Sequence, residues 1–195
     1  QKNRHLLQRV RLGGVTFADD TSLCCRLSTC QAQEALLRTT LEQWGETIKD
    51  AKTKRLVVGA EPTNPVPFAA VESAKLLGGH FQADGGYSID DSHRLSRAKT
   101  LWRSLKRKLP SFGLNRRLRG RLISASVIRC LLYGVQCREV SGSTARKWQT
   151  WLNSVAREAT KTRLQDMHDQ QLTQQDVNKS LGLWPVKVYI GQAQL

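Results

Sequence analysis

Between Ser92 and Arg138 the chain carries thirteen Lys or Arg and no Asp or Glu. No other feature restricts the fold as much. A solvated helix normally gains from opposite charges at i,i+4 spacing, and like charges there repel. A run of this kind folds when an apolar stripe holds the helices and leaves the cations to face water. The stripe is present. Leu95, Ala98, Leu101, Trp102 and Leu105 recur with helical period, and so do Leu118, Leu122, Ala125, Ile128 and Leu132. Pro110-Ser111-Phe112-Gly113 separates the two halves and stops the first helix. The pattern predicts two antiparallel helices, the first capped at Asp90, Asp91 or Ser92 and the second over about 115–133. Arg103, Lys106, Arg107 and Lys108 would then meet Arg116, Arg117, Arg119 and Arg121 at one tip. A basic cluster without acids fits phosphate binding through counterion release. Such contacts go mostly to the backbone and position a protein without reading sequence.

The rest of the chain is consistent with an α+β protein. Val15-Thr16-Phe17 and Thr21-Ser22-Leu23 flank Asp19-Asp20, which predicts a β-hairpin with an Asp-Asp tip. Adjacent carboxylates on a rigid turn suit a divalent cation such as Mg²⁺, although most Asp-Asp pairs are solvated turns; Asp90-Asp91 reads as one of these, or as a cap. Ser28-Thr29-Cys30-Gln31 resembles a capping box. The helix it opens has Leu36, Leu37, Leu41 and Trp44 on one face. Strands are expected at 52–58, 68–77 and 79–83, with Pro62, Pro65 and Pro67 in an irregular loop. Ser141-Gly142-Ser143 precedes a helix with Trp148, Trp151, Leu152, Val155 and Ala159. Thr173 to Asp176 opens a short helix ending near Gly182, and a last helical segment follows Pro185. The expected organisation is a basic arm at 1–14, an α/β part at 15–88, a helical part at 89–164 and a helical extension at 165–195.

Composition narrows the partners. The net charge of +15 favours polyanions, nucleic acid above all. An anionic membrane surface is the competitor, but the basic segments also carry core-facing stripes. No apolar run approaches the roughly 20 residues of a membrane span. Cysteines stand at 24, 25, 30, 130 and 137, with no Cys-x-x-Cys pair, so neither a zinc site nor a disulfide framework is expected, and a reducing compartment is. Cys24 and Cys25 read as core or sheet residues. His5, His80, His93 and His168 are scattered without metal-ligand spacing. Trp148 and Trp151 read as core anchors, whereas Trp184 is open to a partner. The acid-free start, with Lys2, Arg4, Arg9 and Arg11, fits a trimmed organelle-targeting end or a basic arm.

Taken in order, several motifs resemble the C-terminal half of a reverse transcriptase of the non-LTR (LINE-type) retrotransposon class. Phe17-Ala18-Asp19-Asp20 is similar to that family's Tyr/Phe-Ala-Asp-Asp palm hairpin. Gly45 followed by Lys52-Thr53 matches its Gly-to-Lys-Thr spacing. Lys75-Leu76-Leu77-Gly78 resembles the primer-grip strand. Arg94-Leu95 with Ala98, Leu131-Leu132-Tyr133-Gly134 and Leu181-Gly182-Leu183-Trp184-Pro185 resemble thumb and distal segments. The chain departs from the family at Lys49 and around Gln136-Cys137. The resemblance implies a partial palm followed by an all-helical thumb-like bundle. It makes Asp19 a metal ligand, Asp20 its neighbour in the turn, and places Lys52 near nucleotide phosphates. A two-metal polymerase site needs a second carboxylate strand. The eighteen residues before Asp19 contain no acid, so Asp19 and Asp20 are expected to be vestigial, with no metal and no cofactor.

The expectation is therefore a domesticated remnant, not an enzyme. It would be an RNA-binding structural component of a ribonucleoprotein, in the setting of a mitochondrial ribosome. Ribosomal RNA and neighbouring proteins would be its partners. The alternative is a fragment of an active, Mg²⁺-dependent RNA-directed DNA polymerase. A third reading is a protein-interaction module with incidental charge.

Overall fold

A computed structural model describes residues 15–17, 20–58, 70–76 and 78–195. The chain forms two units, Gln1–Gly86 and Tyr87–Leu195, and its class is α+β.

In the first unit, strands β1 (Val15–Phe17) and β2 (Asp20–Ser22) pair antiparallel with Phe17 opposite Asp20. Ala18 and Asp19, half of the expected Asp-Asp tip, lie outside the described residues, and Asp20 already belongs to β2. Because β2 ends at Ser22, Cys24 and Cys25 fall beyond it and are exposed, not sheet residues as expected. A 3-10 turn at Leu27–Thr29 leads into helix α1 (Cys30–Gln43). The expected capping box is not made. The tight turn aims the Thr29 hydroxyl backward, where it donates to the Arg26 carbonyl at 3.2 Å. On α1, Leu37 and Leu41 are half-buried, but Leu36 is 68% and Trp44 82% exposed.

The expected strand over 52–58 is reduced to one parallel bridge, Arg55 to Ala70. The Arg55 side chain reaches Glu34 on α1, with Nε to Oε2 at 3.1 Å. Arg38 also grips Glu34 and pairs with Asp50. These two guanidiniums, Arg55 first, hold the Glu34 carboxyl down at about 2. The strands expected at 68–77 and 79–83 are shorter: β3 (Ser73–Leu76) and β4 (Gly79–Gln82) form a two-stranded antiparallel sheet. The proline loop and the arm at 1–14 lie outside the described residues. No described apolar side chain of this unit is buried; its visible ties are backbone pairing and ion pairs.

The second unit holds the core. Helix α2 (Ser88–Lys108) starts ahead of the expected cap, so Asp90 and Asp91 lie inside its first turn, where acids favour the helix dipole. It buries Leu95, Ala98 and Trp102, while Leu101 is exposed. A 3-10 turn at Leu109–Phe112 follows, and Gly113 at φ +58 closes it in the left-handed region that glycine tolerates. The expected helix over 115–133 is present as α3 (Arg116–Ile123), a π-helical turn at Ser124–Ile128, and α4 (Arg129–Leu131). Its buried face keeps only part of the expected stripe, with Leu122 and Leu132 half-buried against the core. Ile123, Val127, Ile128 and Leu131 are buried, whereas Leu118 and Ala125 are exposed.

Two causes combine to shift the face. The π turn inserts an extra residue into the helical period. Upstream of it, Gly120 lets helix α7 (Gln174–Leu181) approach so closely that a Cβ at 120 would lie 1.7 Å from the Leu181 carbonyl oxygen.

Helix α5 (Gly142–Thr160) matches expectation. The Ser141 hydroxyl accepts from Thr144 N–H at 3.1 Å, and Trp148, Leu152, Val155 and Ala159 are buried. Helix α6 (Leu164–Asp169) is unanticipated; it is short and buries nothing. Helix α7 opens with a full capping box. Asp176 N–H donates to Thr173 Oγ1 at 3.2 Å, and Thr173 N–H to Asp176 Oδ2 at 2.8 Å. After Pro185, α8 (Val186–Gln194) begins with Val186 N–H donating to Gln149 Oε1 at 2.7 Å. The segment 165–195 is not an appendage: Val177, Leu181, Leu183 and Val186 enter the same core as α2 and α5. Among the described residues no helix is long and apolar enough to cross a membrane.

Candidate nucleic-acid interface

The tip between α2 and α3 follows from local sequence. Leu109 is buried and anchors the turn. Ser111 Oγ donates to the Lys108 carbonyl at 2.7 Å. The Asn115 side chain accepts from Leu118 N–H at 2.9 Å and starts α3. Lys106, Arg107 and Lys108 thus end one helix, and Arg116 and Arg117 begin the next. The first group complements the dipole of α2. The second stands at the positive end of α3, with no acid in its first turn, so this end adds to the local positive potential. Phe112, 49% exposed, projects from the same turn.

The structure divides the thirteen cations by role. Arg94 and Arg138 are buried and belong to an ion network. Arg119 is a tie: its Nε donates to the Leu114 carbonyl at 2.8 Å and its Nη1 to the Ala159 carbonyl at 3.0 Å. That joins the start of α3 to the end of α5, so Arg119 is committed where a free phosphate ligand was expected. Lys106 Nζ lies 2.9 Å from Glu158, which also accepts from Trp102 Nε1 at 2.9 Å. Burial pushes the Glu158 carboxyl up, but Lys106 and Trp102 together hold it below its ordinary value. Arg97, Lys99, Arg103, Arg107, Lys108, Arg116, Arg117, Arg121 and Arg129 are exposed and make no ion pair among the described residues.

Asp90-Asp91 is neither cap nor solvated turn. Asp90 is 4% exposed. Arg94 Nη2 and Arg138 Nη2 each lie 3.4 Å from it. Arg138 also pairs with Asp91, whose second oxygen accepts from Thr144 Oγ1 at 2.9 Å. Arg94 lies 4.4 Å above the Tyr133 ring, and Arg138 5.3 Å from that of Tyr87. The Arg138 carbonyl accepts from Gln194 Nε2 at 2.9 Å. Two of the basic residues therefore balance internal acids and fasten α2, α5 and α8 together. Reading neighbours along the sequence misses this network, because Asp90 and Arg138 are far apart in the chain. Beside it lies a cavity of about 380 Å³ with Asp91, Ser141, Thr144 and Lys147 in its wall. The Asp91 carboxylate there is already committed to Arg138 and Thr144.

The first unit contributes less. Lys52 is exposed in a turn, its N–H donating to the Lys49 carbonyl at 2.9 Å. Asp19 lies outside the described residues, and Asp20 opens β2. Among the described residues no group of three or more His, Cys, Asp or Glu is placed to hold a metal ion. Comparison of the chain with family models, with curated proteins and with solved structures returned no match.

Proposed function

We propose that the protein is an RNA-binding structural component of a ribonucleoprotein, with a mitochondrial ribosome as its setting and ribosomal RNA as its ligand. The observation that carries this reading is the group of exposed cations flanking the turn between α2 and α3, Arg103, Arg107, Lys108, Arg116, Arg117 and Arg121, which meet no acid among the described residues. Exposed like charges gathered at one tip repel, and binding a polyanion converts that repulsion into affinity. The role is non-catalytic, and the ancestry we infer is the thumb-bearing half of a non-LTR reverse transcriptase, with Asp19 and Asp20 as its remnant. The β1–β2 hairpin is the reason to keep one rival reading, a piece of an Mg²⁺-dependent polymerase.

Binding of a structured RNA measured across a salt series tests the proposal. Affinity should fall steeply with salt. Arg116→Glu with Arg117→Glu should flatten the slope by roughly the phosphates lost, at about 0.7–0.9 per contact. Affinity that ignores both salt and these substitutions would refute it. Primer extension with Mg²⁺ on an RNA template addresses the rival: synthesis abolished by Asp19→Ala would replace the structural reading with the enzymatic one.

A further inference from the structure

Trp184 is 62% exposed in the short connection between α7 and α8. Its main chain is anchored, since the backbone N–H of Trp184 donates to Tyr189 Oη at 3.1 Å and that hydroxyl lies 3.5 Å from Ser124 Oγ. The connection therefore sits over the end of α3, just after Leu181 closes on Gly120. Arg117 precedes Ser124 by seven residues and shares its helix face, and Arg121 precedes it by less than one turn. Both arginines are exposed and unmatched by acids. About 10 Å of surface along α3 thus runs from cations to an open indole ring. Phe112 presents a second ring at the tip where α3 begins.

An indole surrounded by carbon side chains would suit any protein partner. This one lies about 10 Å along α3 from exposed guanidiniums that pair with no acid among the described residues, which selects a polyanion that also offers flat faces. Duplex RNA offers phosphates but keeps its bases stacked inside. An unpaired strand offers both, and every base has a face to stack. Resting on the RNA-binding reading above, we infer that α3 and the α7–α8 connection take an unpaired RNA segment. Its phosphates lie on Arg117 and Arg121, one base stacks on Trp184, and Phe112 receives another at the far end.

The test compares a short labelled oligouridylate with a blunt RNA duplex of the same length, by fluorescence anisotropy with the full chain. Trp184→Ala should weaken the single strand by about tenfold or more and leave the duplex within about twofold. Trp184→Phe, which keeps a stacking face, should recover most of the loss. Arg117→Glu with Arg121→Glu should weaken both ligands. If wild type binds with salt dependence and Trp184→Ala changes nothing, or weakens both ligands equally, the inference is overturned while the general RNA reading stands. If wild type binds neither ligand, both readings fall together.

Discussion

Replacing Gly120 with alanine should destabilise the helical unit, although helix propensity alone argues the opposite. Gly120 lies inside α3, where alanine is favoured by about 1 kcal/mol. The added Cβ would meet three backbone atoms of Leu181: the carbonyl oxygen at 1.7 Å, the carbonyl carbon at 2.7 Å and Cα at 3.2 Å. No side chain can swing away to relieve this. Ordinary contact begins at 3.4 Å, so α3 and the end of α7 would have to part by about 1.7 Å. That separation would loosen Leu181 and Val177 from a core that also holds Ile123 and Val127. Overpacking typically costs about 1–3 kcal/mol, and a displaced backbone belongs at the upper end. After subtracting the propensity gain, the net loss is about 2 kcal/mol, or roughly 10 °C in Tm for a unit of this size.

Gly191→Ala is the control. Gly191 also lies in a helix, α8, but nothing stands within 4 Å of its Cβ position, so the same change there should stabilise by up to about 1 kcal/mol. Thermal and urea melts followed by circular dichroism read both variants. A Gly120→Ala protein as stable as wild type would mean that α3 and α7 do not approach as described.

Arg119→Ala should lower stability by about 1–3 kcal/mol in a urea melt, because two backbone carbonyls lose a charged donor; Arg117→Ala should leave the midpoint within about 0.5 kcal/mol. Arg138→Leu removes the cation between Asp90 and Asp91 and should cost about 3 kcal/mol, seen as a melting transition shifted far down, since the two carboxylates, one buried and one half-buried, would share Arg94 as their only near cation among the described residues and Asp91 would keep only Thr144. Acid should unravel the contacts of α1. The Glu34 carboxyl sits at about 2 in the folded chain, below the ordinary value near 4.3. Its stabilising effect is complete above that ordinary value and lost as pH falls toward 2. The protection factors of the α1 amides, the intrinsic exchange rate at each pH divided by the measured one, should therefore fall between about pH 4.5 and 2, and Glu34→Gln should abolish that step; a Glu34→Gln chain with the same acid profile would refute the assignment.

Local sequence encodes some of these elements fully and others hardly at all. Helix α5 was legible because its cap, Ser141, and its stripe from Trp148 to Ala159 are all contained in one segment. The Thr173–Asp176 box was legible for the same reason. The face of α3 was not. Leu118 and Leu122 fit the simple period, but a glycine that admits a neighbouring backbone and a π turn both change the phase, and each depends on a segment more than 50 residues away or on a single inserted residue. Asp90-Asp91 looked solvated because its counterions come from the next turn and from Arg138. The strand expected over 52–58 shrank to a bridge because Arg55 is drawn to Glu34, a partner no alternation pattern reveals. At the basic surface, charge was legible and commitment was not: Arg119, Lys106, Arg94 and Arg138 count equally with Arg116 in composition, yet each is already engaged.

The π turn at Ser124–Ile128 has a consequence for how such a surface could change over time. One residue added to or removed from a helix rotates everything beyond it by about 100°. Upstream of this turn, α3 shows Arg117 and Arg121 to solvent and Gly120 to α7; downstream, Val127, Ile128 and Leu131 face the core. The turn therefore acts as an index between the two sets, the point at which the charged dial is set against the fixed one. Loss of Ala125, exposed and without charge, would close this turn into regular α-helix, keep all 31 basic residues and leave both faces as they are. The turn thus holds one spare residue: a deletion here leaves the aim of the arginines unchanged, whereas an uncharged insertion in α3 would rotate them against the core, a change that net charge and composition cannot register.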